Sequence, residues 1–122
     1  MTQEPQGHAA AFDPARVKET SDGDVAFERE LFEAYIADCE ERLARLERSV
    51  SAGEAEPTRI EAHSIKGASL NVGTTRLQDL AFTLEKTNAA EAPAAAREAL
   101  VAVQAEFVRV RAALEAYLAA QS

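Results

Sequence analysis

Apolar residues recur at three- and four-residue steps along most of the chain, the spacing of helices that bury one face. The longest such stripe is Leu31, Tyr35, Cys39, Leu43, Leu46 and Val50. It predicts a helix opened by Asp24, or by the Ser21-Asp22 pair, and running to about residue 52. Phe27, Phe32 and Ile36 widen the stripe. Glu28, Arg29, Glu33, Asp38, Glu40, Glu41, Arg45 and Arg48 read as its solvated face, with i,i+4 ion pairs between them. Gly53 ends the helix as a C′ glycine.

The same logic places four more elements. Asp13 and Pro14 start a short helix that Ser21-Asp22-Gly23-Asp24 interrupts, and Phe12 and Val17 pin it to the rest. After the connector 54–57, Pro57 suits the first turn of a helix that ends near Gly73. Thr74 or Thr75 caps the next, whose stripe is Leu77, Leu80, Ala81 and Leu84. Beyond the break at 88–93, a last helix runs to about Ala120 with Leu100, Val103, Phe107, Val110, Leu114 and Leu118 inward. No strand pattern competes. Short connections favour antiparallel neighbours. The expected fold is all-α: an up-down antiparallel four-helix bundle with a short extra N-terminal helix. Residues 1–11, with Pro5, Gly7 and His8, lack periodicity and read as a disordered tail; 12–122 form the one domain.

Composition narrows the function. The formal net charge of −8 argues against nucleic acid and anionic membranes as partners. The single cysteine, Cys39, permits no internal disulfide and reads as a small core residue. No apolar leader and no run of 18 apolar residues is present, so a soluble cytoplasmic protein is expected. The stripes can all be satisfied within one bundle, which makes a monomer the simpler reading. A Walker phosphate loop, a dinucleotide-binding glycine pattern, a serine–histidine–acid order and a second histidine placed for a metal are all missing. Their absence counts against an enzyme built on an unrelated histidine base.

What remains is Ala62-His63-Ser64-Ile65-Lys66-Gly67-Ala68-Ser69, continuing to Asn71-Val72-Gly73. Helical spacing puts His63, Lys66 and Gly67 on one side, extended by Ile60, Leu70 and Asn71; Ala62, Ile65, Ser69 and Val72 follow the same spacing toward a core. Neutral imidazole is a good nucleophile. Lys66 can offset the charge of a phosphoryl group on His63, and Ser64 or Asn71 can add hydrogen bonds. Gly67 costs a helix roughly 1 kcal/mol relative to alanine. Either a partner's close approach or a tight helix crossing would explain it. The residue types alone leave the reaction open.

The stretch 62–69, with Val72-Gly73, Leu77, Leu80 and Leu84-Glu85, resembles the histidine-containing phosphotransfer (HPt) domain family. The specific part is Ala-His-x-apolar-Lys-Gly with a second glycine six residues on. The pattern Glu30-Leu31-Phe32-Glu33-Ala34-Tyr35-Ile36 is also similar, and the likeness spans about residues 12–120. The resemblance implies a four-helix bundle whose exposed His63 relays phosphoryl groups between receiver domains of response regulators or hybrid histidine kinases. Lys66 and Gly67 match the residues flanking the phosphorylated histidine. The implied receiver supplies the phospho-aspartate, the Mg²⁺ and most catalytic groups, so this chain needs no cofactor or metal of its own. Ile60 and Leu70 would form an apolar rim against it. The His-Ser-Ile-Lys-Gly wording also resembles the phosphotransfer domains of chemotaxis kinases, some of which carry a glutamate that orients the histidine; Glu85 occupies that place. Two other readings stay open: a receiver-docking module that works without phosphorylation, and a phosphotransfer domain cut from a larger chemotaxis-type kinase.

Overall fold

The computed structural model describes residues 11–121. Five helices follow in order: α1 (Pro14–Ser21), α2 (Val25–Ser51), α3 (Ala55–Val72), α4 (Thr75–Glu85) and α5 (Pro93–Ala120). The four longer helices pack in a ring, α2 on α3, α3 on α4, α4 on α5 and α5 on α2, while α1 lies on α2 and α3. Cross-helix partners run in opposite directions along each pair. Ser49 meets Thr58 while Tyr35 meets Ser69. Glu47 meets Arg97 while Glu40 meets Arg111. The chain is therefore an up-down antiparallel four-helix bundle with a short N-terminal helix. No helix among the described residues is long and apolar enough to cross a membrane.

Capping explains the breaks. The Asp13 carboxylate accepts from the Ala15 amide at 3.0 Å, with Pro14 behind it opening α1. Asp24, rather than the Ser21-Asp22 pair, caps α2, accepting from the Phe27 amide at 3.1 Å. Gly53 leaves α2 at φ 69°. Thr74 sits at the cap of α4, but its hydroxyl makes no cap bond there. It is 2.8 Å from the Tyr35 hydroxyl, which also lies 2.7 Å from Ser69. Three buried hydroxyls thus satisfy one another where α2, α3 and the α3–α4 turn meet. Burial pushes the Tyr35 phenol well above its usual range, so it keeps its proton.

The core contains the expected stripe residues Phe32, Tyr35, Cys39, Leu46, Ala62, Ile65, Val72, Leu77, Leu84, Leu100, Val103, Val110 and Leu114, with Phe12 and Val17 sealing one end. Phe12 packs edge-on against Phe32 and Tyr117 at centroid separations of 5.9 and 5.5 Å. Burial pushes the Cys39 thiol up to about 12, so it is an inert core group.

Two expectations on α2 are corrected. Glu28 is buried, not solvated: Ser21 Oγ donates to it at 2.6 Å and the Tyr117 hydroxyl at 2.9 Å. It lies on the line of Phe32, Tyr35 and Cys39, and α1 folds over it. Phe27, one residue earlier, is turned about 100° off that line and is 41% exposed rather than widening the core stripe. Ala11, read as the end of the tail, is buried beside Phe12. The rest of that tail, with His8, lies outside the described residues.

Candidate functional site

The site is built by the α3–α4 hairpin. Its turn is two residues long, Gly73 and Thr74, which forces α4 back along α3. Gly73 adopts φ 81°. Both its amide and that of Thr74 donate to the Ser69 carbonyl, at 3.0 and 3.1 Å. The Gly73 carbonyl accepts from the Asp13 amide at 3.0 Å, and a Cβ on Gly73 would lie 3.1 Å from the Arg16 Cβ. Glycine is required here by backbone sign and by the close approach of α1.

This hairpin brings His63 and Lys66 of α3 against Glu85, the last residue of α4. His63 projects outward with 61% of its side chain exposed, and its Nδ1 lies 3.0 Å from Glu85 Oε2. Lys66 Nζ lies 3.0 Å from the other oxygen, Oε1, as an ion pair. One carboxylate therefore holds both the imidazole and the ammonium. Glu85 is only 15% exposed. Its carboxyl is held below the usual carboxylate range, first by Lys66 and then by His63, against partial burial that raises it. An ionised Glu85 accepts the proton on Nδ1, which leaves the lone pair on the outward Nε2.

The sequence-derived site residues divide into three groups. His63, Lys66 and Glu85 form the contact set. Gly67, Ile60, Leu70 and Asn71 surround it on the exposed surface, with Ile60 at 47% and Leu70 at 46% exposure. A methyl group on Gly67 would meet nothing within 4 Å. A tight helix crossing is therefore not the reason for that glycine, and the space beside His63 is open. Ser64 is half-buried, and neither its side chain nor that of Asn71 has a hydrogen bond among the described residues.

Sequence reasoning missed Phe82. Its ring lies under Lys66 Nζ at 4.6 Å and under Lys86 Nζ at 4.3 Å from the centroid. The available signal was its place three residues before Glu85, hence on the same face of α4.

The geometry defines a class: a helical bundle presenting one exposed, carboxylate-held histidine beside a lysine and an open glycine. A family model for the Hpt domain matches residues 30–120. The chain belongs to the Hpt domain family, and its role is histidine phosphotransfer in a phosphorelay as a carrier that works with receiver domains. Among solved structures it is similar to the crystal structure of histidine-containing phosphotransfer protein B (HptB) from Pseudomonas aeruginosa PAO1. The two share 27% identity with a TM-score of 0.80, over 90% of this chain and 96% of that one. None of the curated proteins compared with it matches.

Proposed function

We propose that His63 accepts a phosphoryl group from the aspartyl phosphate of one receiver domain and passes it to the aspartate of another. The observation that carries this reading is the 3.0 Å contact between Nδ1 and an ionised Glu85, which leaves Nε2 outward and nucleophilic. In the forward step the Nε2 lone pair attacks phosphorus. The P–Nε2 bond forms, the P–O bond to the aspartate breaks, and the bonding electrons leave with the carboxylate. The phosphorylated ring carries the positive charge of a doubly substituted imidazole, and Glu85 at Nδ1 offsets it. Lys66 stands ready to balance the phosphoryl oxygens. The Mg²⁺ and the remaining catalytic groups come from the receiver, consistent with a reaction that rests on positioning and charge. The open surface at Gly67, rimmed by Ile60 and Leu70, supports docking of that receiver against α3.

The test is incubation with a phosphorylated receiver and Mg²⁺. Wild type is expected to gain an acid-labile, base-stable phosphoryl group, and His63→Gln none. Equal labelling of His63→Gln would overturn the reading. Leu70→Asp, on the rim, is expected to slow transfer; an unchanged rate would remove Leu70 from the docking surface.

A further inference from the structure

The ring of Phe82 is a large apolar group left 42% exposed. Two ammonium groups cover it, Lys66 at 4.6 Å and Lys86 at 4.3 Å from the centroid. Both distances suit attraction between a cation and the negative face of an aromatic ring. Phe82 and Glu85 stand three residues apart on α4 and address one group on α3, the Lys66 ammonium, which is 3.0 Å from the carboxylate. Lysine carries its charge on a long, flexible stem. A single carboxylate contact fixes the distance of such a charge better than its direction. A ring beneath the ammonium restricts the direction as well, and Lys66 is accordingly only 26% exposed at the rim of a shallow cavity between Lys66, Gln78, Asp79 and Phe82.

We propose that Phe82 is a positioning residue for phosphotransfer: its ring, together with Glu85, holds Lys66 beside His63 before the phosphoryl group arrives. This inference rests on the reading of His63 as the acceptor. Phe82 acts through Lys66 and touches no reacting atom. The competing role for an exposed phenylalanine, direct contact with the receiver, is separated by a donor that needs no receiver.

The experiment uses phosphoramidate, whose P–N bond breaks with loss of ammonia as P–Nε2 forms, and follows His63 by ¹H–¹⁵N NMR. Phe82→Leu keeps apolar bulk but removes the ring. It is expected to slow phosphorylation about two- to fivefold, the factor that corresponds to an exposed cation–ring contact. Phe82→Tyr is expected to restore the wild-type rate. In a Lys66→Met background, Phe82→Leu is expected to change nothing further. Independently of any phosphorylation, the Lys66 ε-methylene protons should show an upfield ring-current shift that Phe82→Leu abolishes. The proposal is overturned if Phe82→Leu phosphorylates at the wild-type rate, if it costs as much in the Lys66→Met background, or if the Lys66 ring-current shift is absent. Failure of wild-type His63 to accept phosphate, with the ring-current shift present, would instead sink the reading of His63 and this proposal with it.

Discussion

At the scale of residues, Glu85 is the least exposed member of the His63–Lys66–Glu85 set and contacts both of the others. Its two oxygens fix the nucleophile and the cation in one arrangement. Its folded-state pKa is depressed, so the sign follows. The ionised contact stabilises the fold above the ordinary glutamate pKa of about 4.3, and this contribution is lost as pH falls through the depressed folded value. Glu85→Gln should therefore be less stable than wild type near neutral pH, with the gap in Tm closing in acid. Thermal melts across a pH series check this; a gap that persists below the folded pKa would contradict it. Gly67 gives the converse case. Because a methyl group there meets open space, Gly67→Ala should raise helix stability by up to about 1 kcal/mol. It should also cut transfer from a phosphorylated receiver by about tenfold, equivalent to roughly 1.4 kcal/mol in the barrier, and leave the phosphoramidate rate unchanged. Receiver transfer at the wild-type rate would mean that the partner does not need that space.

At the scale of elements, the α3–α4 hairpin is what turns separate residues into a site. Gly73 sets its angle, and the Tyr35–Ser69–Thr74 hydroxyl cluster locks it to α2. Tyr35→Phe leaves two buried hydroxyls short of a partner and should cost about 1–3 kcal/mol in denaturant unfolding. A neutral effect would mean that the cluster contributes no net stability. Here the sequence was informative wherever burial followed apolar character. Ala62, Ile65 and Val72 are all buried, as their spacing implies. It misled where a charged residue sits on the buried line. Glu28 shares the azimuth of Phe32 and Tyr35, but its partners are Ser21, on another helix, and Tyr117, 89 residues away. Glu106 repeats the pattern on α5. It is buried on the line of Val103 and Val110, with Arg109 one turn on and Arg76 reaching across from α4. Neither position announces itself through hydropathy, because each is satisfied at least in part by a group from another helix, Ser21 and Tyr117 for Glu28 and Arg76 for Glu106.

At the scale of the whole molecule, the ring of four antiparallel helices was legible from stripe spacing and connector length. The ion pairs between helices were not. Arg42 and Arg45 converge on Glu61 at 2.9 and 2.8 Å, and Arg97 forks onto Glu47 with bonds of 2.9 and 2.7 Å. Arg97 pulls the Glu47 carboxyl down to about 2. These pairs decorate the bundle, and Arg59, four residues before His63 on α3, is held by Glu56 at 2.6 Å. The motif named the histidine, lysine and glycine because those residues are local in sequence. Phe82 and Lys86 lay beyond it because helix packing, not sequence distance, brings them to Lys66.

The central claim is that phosphate enters at the outward nitrogen of His63 while Glu85 holds the other. Phosphotransfer from a receiver followed by ¹H–¹⁵N NMR of the imidazole reads this directly. The expected result is a phosphoryl group on Nε2 with Nδ1 still protonated and facing Glu85. Phosphate on Nδ1, or on a residue other than His63, would contradict it.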